Sequence, residues 1–365
     1  MTTALTMIVI LLVSVMIHEL AHYLNARSVG VPVRAFSVGM GPVIWRKNWR
    51  GTEWRFSLLP LGGYVDLPGM APKVAEDGTL EHPDEGLARA SVWQKIWVLI
   101  GGVLANFVLG VLLMAVVISV EPTYRGLTAN LPTVTVIGTV SPGSPAAQLG
   151  LLEGDTITEL NGVGNPGPET VVSIVTGSSG EVAQAGGVLQ LTVQQPDGAS
   201  RSYSLDWPPE GGEPLLGIAL GETPVGADPI GLPAALAESL RFGFTAVPDM
   251  VGGFFRGFGS VLAGRQSEDI TGPVGIVTAV NQATQLGFVH VLYLASVINL
   301  SLAVFNLLPI PGLDGGRILL ALVTAVRGKR FRPGQEETIH FLGMMAVLLL
   351  IVLITVGDVG RLFGS

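Results

Sequence analysis

Two histidines and a glutamate near the start of the chain are the first residues whose types and spacing predict chemistry. Residues 18 to 22 read His-Glu-Leu-Ala-His. Positions i and i+4 of a helix share one face, so His18 and His22 can bind one metal ion together. Glu19 lies beside them, where a general base acts on a metal-bound water in zinc hydrolases. The alternative is that all three side chains are solvated at a membrane surface, and the pentapeptide leaves both readings open.

A catalytic zinc site needs a third protein ligand, and a second polar stretch within apolar sequence offers one. It reads Asn306-Leu-Leu-Pro309-Ile-Pro311-Gly-Leu-Asp314-Gly-Gly. Its prolines break a helix, and irregular backbone at membrane depth is tolerated only where protein or a watery cavity covers it. Asp314 is therefore expected at the protein interior or the interface. The alternative is that Asp314 only caps a helix that begins at Gly315.

The composition of the whole chain indicates a membrane protein. Of the 365 residues, 13% are charged and 48% are apolar, the mean hydropathy is +0.56, and there is no cysteine. The lack of cysteine excludes disulfide scaffolds, cysteine-ligated metal centres and thiol nucleophiles. The low charge argues against a disordered chain and against a nucleic-acid binder.

Four stretches without Asp, Glu, Lys or Arg predict four transmembrane helices. They are residues 1–18, 96–120, the part Leu286–Leu308 of the long run 270–313, and 338–357. The first has no basic region before it and no small-residue cleavage pattern, so we expect a retained span and not a signal peptide. Residues 230–262 are expected to form one or two interfacial helices, the alternative being a fifth span.

The distribution of charge predicts the orientation of these spans. Between residues 23 and 59 the chain has six basic residues and one acidic residue, whereas residues 121–238 contain 13 acidic residues and two basic ones. By the positive-inside rule, the loop after the first span is cytoplasmic and residues 121–238 lie outside. The first and third spans then both end at the cytoplasmic side, which puts His18, His22 and Asp314 at the same depth.

The outer segment is expected to be a small β-rich binding module. Residues 133–140 and 156–160 alternate like strands, a short helix is predicted at 145–150, and Asn161-Gly162 is a hairpin signal. This order resembles a circularly permuted PDZ domain of bacterial proteases, which implies binding of an extended peptide at a sheet edge. The alternative is an ordinary β-rich spacer.

The two polar motifs together resemble the site-2 protease family of intramembrane zinc metalloproteases, in its bacterial regulator-of-sigma-factor form with one PDZ domain. The segment 57–65 resembles the membrane-associated β-hairpin of that family, and Gly102-Val-Leu-Ala-Asn106 resembles its second-helix signature. The resemblance implies that His18, His22 and Asp314 bind Zn²⁺, that Glu19 is the catalytic base, and that Asn306 helps to hold the substrate. Asn299 could assist Asn306 or could form a packing hydrogen bond between helices. The three remaining histidines are expected not to bind metal: His82, His290 and His340.

The sequence thus predicts a polytopic α-helical membrane protein of four transmembrane helices with an inserted PDZ-like domain. Residues 1–120 form the first membrane half, 121–228 the extracytoplasmic domain, 229–285 linker helices and 286–365 the second membrane half.

The expected function is regulated intramembrane proteolysis in the bacterial cell membrane, on single-span substrates such as anti-sigma factors or signal-peptide remnants. Residues 53–65 are expected to offer a strand edge to the unwound substrate, and the PDZ-like domain to bind a peptide. No nucleic-acid partner is expected. The alternative function is a zinc-binding membrane scaffold or peptide sensor that cuts nothing.

Overall fold

The chain divides into two compact units. The computed structural model describes residues 2–70, 73–74, 80–81, 85–129, 131–177, 187–208, 215–225, 227–263, 272–328, 331 and 335–363. The first unit combines residues 1–117 with residues 232–365, and the second comprises Ile118–Gly231. The two polar motifs therefore belong to one unit although they lie at opposite ends of the sequence.

Four helices are long and apolar enough to cross a membrane, which confirms the predicted number of spans. They are α1 (Thr2–Ser28), α2 (Val92–Val120), the helix Phe288–Leu307, and the part Thr338–Gly357 of the last helix. Among the described residues no fifth helix meets the same criteria. A continuous helix satisfies its own backbone hydrogen bonds, and this is what an apolar surrounding demands.

Buried polar side chains join three of these helices to one another. Asn299 Nδ2 donates to Ser14 Oγ in α1 at 2.9 Å, and Ser296 Oγ donates to the carbonyl oxygen of Gly110 in α2 at 2.8 Å. All of these side chains are at most 1% exposed. Asn299 is thus a packing residue between helices, one of the two roles that the sequence left open for it.

A small antiparallel sheet follows α1 and differs from the predicted edge strand. It consists of β1 (Ala35–Trp49) and β2 (Thr52–Asp66), both of which fold back on themselves. Residues 35–38 are paired with 53–56 on one side and with 63–66 on the other, while 53–56 are also paired with 45–48. The predicted strand edge is therefore confined to the end of the segment 53–65, because residues 53–56 are paired on both sides. In the described residues the edge nearest α1 is Gly63–Asp66.

Shorter elements complete the first unit. Two strands of two residues each follow the sheet, β3 (Lys73–Val74) and β4 (Leu80–Glu81). The region 230–262 forms two helices, and further helices precede and follow the third span. We number them in chain order as α6 (Leu232–Thr245), α7 (Val247–Leu262), α8 (Pro273–Leu286), α9 (Phe288–Leu307, the third span), α10 (Asp314–Arg327) and α11 (Gln335–Phe363, which contains the fourth span).

The second unit is a β-sheet with short helices. Its strands are β5 (Thr133–Val140), β6 (Thr156–Leu160), β7 (Val163–Gly164), β8 (Val188–Gln194), β9 (Ser200–Asp206) and β10 (Ile218–Pro224). They pair in the order β10-β5-β6-β8-β9, with β7 on β6. The helices are α3 (Arg125–Thr128), α4 (Pro145–Leu149) and α5 (Pro168–Val175).

The second unit has its own apolar core. Alternate residues of β8 are buried together with Ile157 and Leu160 of β6 and one face of α5. Trp207 closes this core and donates its indole N–H to the carbonyl oxygen of Val175 at 2.7 Å. A core of this kind allows the unit to hold its sheet by side-chain packing.

The core predicts different effects for two Leu→Ala substitutions in this unit. Leu191 is 1% exposed and Leu152 is 57% exposed. Leu191→Ala should lower the free energy of unfolding of this unit by about 2–5 kcal/mol, because it leaves a cavity. Leu152→Ala should change it by less than about 0.5 kcal/mol. Hydrogen exchange of β6, β8 and β9 in the full chain measures both, and equal loss of protection in the two variants would contradict the assigned core.

Candidate metal centre

Three potential ligand atoms from the two polar motifs converge on one point. His18 Nε2 lies 3.1 Å from His22 Nε2, and each of the two lies 3.2 Å from Asp314 Oδ2. His22 is 3% exposed and Asp314 is 8% exposed. In the part of the chain that the structure describes, this is the one group of three or more His, Asp and Glu side chains with metal-binding geometry.

Helix geometry and a tight turn bring these atoms together. His18 and His22 are one turn apart on α1, so their rings lie side by side on one face. Asp314 is the first residue of α10. A Cβ at Gly315 would overlap the carbonyl oxygens of Leu307 and Leu308, so only glycine lets the chain turn so sharply from α9 into α10.

The three atoms fit a tetrahedral zinc ion. Zinc–nitrogen and zinc–oxygen bonds of about 2.0–2.2 Å at the tetrahedral angle separate the ligand atoms by about 3.3–3.5 Å. The observed separations of 3.1–3.2 Å lie close to this range. In addition, Asp314 Oδ2 is buried and accepts no hydrogen bond within the described residues, although both imidazoles are near. A buried acceptor in this situation is expected of a metal ligand.

The charge state of Asp314 suits the same role. Burial raises the pKa of Asp314, but the adjacent rings of His22 and His18 lower it more, so that its pKa lies below the ordinary value. A lowered pKa favours the carboxylate form, which is the form that binds a metal ion.

A cavity of about 570 Å³ opens onto this centre and contains the other predicted site residues. Glu19 and Asn306 both line it, together with His18, His22 and Asp314. One oxygen of Glu19, Oε2, accepts a hydrogen bond from the backbone N–H of Val65 at 2.9 Å, and this fixes the side chain against the sheet edge Gly63–Asp66. The structure thus places all five sequence-predicted residues around one space.

Other residues of the cavity wall were not singled out from the sequence. Arg34 bridges Asp66 and Glu85, with nitrogen–oxygen distances of 3.3 and 3.1 Å. Arg317 also lines the cavity, and burial lowers the pKa of its guanidinium group. A basic residue one turn after Asp314 was visible in the sequence, but its direction into the cavity depends on how α10 packs.

His340 is a further residue whose role the sequence did not reveal. Its Nδ1 accepts a hydrogen bond from the backbone N–H of Gly312 at 3.0 Å. It therefore supports the turn before Asp314 from α11 and is not one of the three side chains of the candidate metal group. His290 also lies outside that group, and His82 lies outside the described residues.

Helix α2 approaches the two histidines very closely. A Cβ on Gly102 would lie 2.5 Å from His18 Cε1 and from His22 Nε2, which is closer than non-bonded atoms approach. One turn earlier, the carbonyl oxygen of Val98 lies 2.8 Å from His22 Nδ1. An Nδ1–H that donates to this carbonyl leaves Nε2 of His22 with its lone pair toward the metal position.

Comparison with known proteins identifies the family of the chain. The family model described as peptidase family M50 matches residues 6–351. The chain belongs to peptidase family M50. It is accordingly a metalloprotease, as the two motifs predicted.

Two relatives match this M50 chain over nearly its whole length. One is a protein of Agrobacterium fabrum named as a candidate zinc metalloprotease, Atu1380. The two chains are 31% identical over 377 residues, which cover 98% of this chain and 95% of that protein. The other is the zinc metalloprotease RasP of Shouchella clausii, which is 28% identical to this chain over 452 residues, with both chains covered completely.

The close approach of α2 predicts a strong effect of one methyl group. Gly102→Ala should abolish stoichiometric zinc binding, because the new Cβ displaces both rings. Gly259→Ala, in a helix where a Cβ meets no atom within 4 Å, is the matched control and should bind zinc like the unaltered chain. Metal analysis of the purified full chain measures both. Full zinc content in Gly102→Ala would contradict the packing described here.

Proposed function

We propose that this metalloprotease cleaves the transmembrane segments of single-span membrane proteins, with His18, His22 and Asp314 as zinc ligands and Glu19 as the base. The observation that carries the proposal is the convergence of three ligand atoms within 3.2 Å beside a spanning helix, on a cavity that Glu19 also lines. Such residues are costly in an apolar surrounding and are expected there only for function. Zinc is the cofactor, since the relatives named as zinc metalloproteases match over nearly their whole length and the ligand atoms fit this metal.

The chain contributes a base and a proton donor to peptide hydrolysis. Bound zinc supplies Lewis acidity, which polarises the scissile carbonyl group and makes the attacking water more acidic. Glu19 takes the proton of that water and delivers it to the nitrogen of the leaving amine. The hydrogen bond from Val65 N–H holds Oε2 of Glu19, and the other carboxylate oxygen is available for this proton transfer.

Asn306 is proposed to hold the substrate. It lies in the cavity wall, near the end of α9 and before the turn that leads to Asp314. Its amide N–H groups can donate to a carbonyl oxygen of the substrate as negative charge develops on that oxygen.

The sheet edge Gly63–Asp66 is proposed to pair with the unwound substrate. A transmembrane helix hides its carbonyl groups in its own hydrogen bonds, so it must become extended locally before it can be attacked. An edge strand offers unpaired backbone groups to such a segment. This edge also carries Val65, which contacts Glu19, so a segment paired there would lie beside the base.

The second unit is proposed to be a PDZ-like peptide-binding module outside the cytoplasm. Its antiparallel sheet ends in β10 on one side and β9 on the other in the described residues, and edges of this kind accept a peptide strand. The acidic charge of residues 121–238 favours the outer side of a bacterial cell membrane. Anti-sigma factors and signal-peptide remnants are the substrate classes that we propose.

Glu19→Gln tests the proposed catalytic role. The variant should keep its zinc, because the ligand atoms are unchanged, and should lose about 10²–10⁴-fold in cleavage rate, because it lacks the base. Asp249→Asn, an exposed carboxylate outside the cavity wall, is the control and should cleave normally. The measurement uses the purified full chain in lipid nanodiscs with a tagged single-span substrate, such as a signal-peptide remnant.

Two outcomes of this experiment would contradict the proposal. Unchanged cleavage by Glu19→Gln would remove Glu19 as the base. A zinc-loaded wild-type chain that cuts none of a panel of single-span proteins would favour the zinc-binding scaffold, which the sequence left as the alternative.

Cysteine cross-linking tests the proposed pairing of the substrate, since the chain has no cysteine of its own. In the Glu19→Gln background, Tyr64→Cys on the inner edge should form a disulfide with a single cysteine near the cut site of the substrate. Lys47→Cys lies on the opposite edge of the same sheet and should not. Mass spectrometry of the cross-linked product distinguishes the two, and equal yields would exclude pairing at the edge Gly63–Asp66.

A further inference from the structure

We propose that Asn106 is a positioning residue of the metal centre. Its amide oxygen accepts a hydrogen bond from Nδ1–H of His18, which keeps the lone pair of His18 Nε2 directed at the metal. The inference rests on the proposed ligand set and assigns a role to a residue that neither contacts the substrate nor binds the metal.

The geometry places the amide of Asn106 beside the first ligand. Asn106 Nδ2 lies 3.3 Å from His18 Nδ1, the ring nitrogen that faces away from Asp314. Asn106 is 1% exposed, and its Oδ1 has no hydrogen-bond partner among the described residues. A buried amide oxygen without a donor is costly, so this oxygen is an available acceptor beside the metal centre.

The protonation of a ligand histidine decides which end of the amide faces it. A neutral imidazole has one N–H, and His18 can bind a metal through Nε2 only if the proton is on Nδ1. When the proton of His18 is on Nδ1, it needs a hydrogen-bond acceptor. If the amide N–H of Asn106 faced Nδ1 instead, Nδ1 would have to be unprotonated and the proton would be on Nε2, which is the opposite tautomer. A half-turn of the amide exchanges its oxygen and nitrogen without changing its shape, and this brings the unpartnered Oδ1 to His18.

Helix α2 then serves both histidines in the same way. Val98, Gly102 and Asn106 are successive i+4 positions on one face of α2. The carbonyl of Val98 lies 2.8 Å from His22 Nδ1, Gly102 provides the space for the rings, and Asn106 lies next to His18 Nδ1. Each of the two rings thus has a hydrogen-bond partner on Nδ1, the nitrogen that points away from the metal position. Partners of this kind set the tautomer and the orientation of histidines in metal sites.

A packing role for Asn106 predicts the opposite order of variants. If Asn106 only filled space between helices, leucine would replace it with little loss and aspartate would disturb the apolar interface. If Asn106 accepts from His18, aspartate preserves the acceptor and leucine removes it. The ranking of these two variants therefore separates the two roles.

The experiment measures zinc affinity and needs no substrate. The full chain in lipid nanodiscs is titrated with zinc against a chromophoric chelator. Asn106→Leu should raise the zinc Kd about 10–100-fold, as loss of a partner of a ligand histidine does, and Asn106→Asp should stay within about threefold of the unaltered chain. Asn106→Ala removes the acceptor without adding bulk and should match Asn106→Leu. Hydrogen exchange of α1 and α2 verifies that each variant is folded.

Two further variants act as controls. Ser296→Ala removes another buried hydrogen bond onto α2, at Gly110, and should leave the zinc Kd unchanged. His18→Ala gives the value for a lost ligand.

The possible failures are distinguishable. If Asn106→Leu and Asn106→Ala bind zinc as tightly as the unaltered chain while His18→Ala does not, the role of Asn106 is overturned and the ligand set stands. The same role is overturned if Asn106→Asp binds as weakly as Asn106→Leu. If His18→Ala also binds zinc normally, the ligand set itself is wrong. Since zinc affinity is independent of cleavage, absence of protease activity leaves each of these conclusions intact.

Discussion

The centre depends on close approach of backbone at two places where a single methyl group does not fit. Gly102 lets α2 lie against both imidazoles, and Gly315 lets the chain turn from α9 so that Asp314 begins a new helix. Packed interiors resist even one added methylene, so these two contacts fix the distances between the three candidate ligand atoms. Glu19 is held separately, by the hydrogen bond from the backbone N–H of Val65.

The small sheet after α1 connects the centre to its proposed substrate. Residues 35–38 are paired on both sides, which leaves Gly63–Asp66 as the strand beside α1. Val65 belongs to this strand and donates to Glu19. The proposed pairing edge and the proposed base are therefore adjacent.

Much of this arrangement could be predicted from the sequence. Stretches without charge located the four spans, helix periodicity placed His18 and His22 on one face, and the two prolines indicated the break before Asp314. The sequence predicted a strand edge within residues 53–65 but could not place it at Gly63–Asp66, since the choice of edge depends on long-range pairing of residues 35–38 that no local pattern reveals. Asn106 did leave a signal, because it is the one side-chain amide in residues 96–120. The sequence could not give its direction, which the packing of α2 on α1 decides.

The contact between α11 and the turn before Asp314 has a consequence for how the enzyme matures. Pro311 lies directly against Gly343, and Gly312 donates to His340, so α11 supports the turn that carries the third candidate ligand. Translation proceeds from the N-terminus, so α1 and α10 leave the ribosome before α11. A chain interrupted between α10 and α11 would therefore contain His18, His22 and Asp314 but would lack the contacts from Gly343 and His340 that support the turn before Asp314.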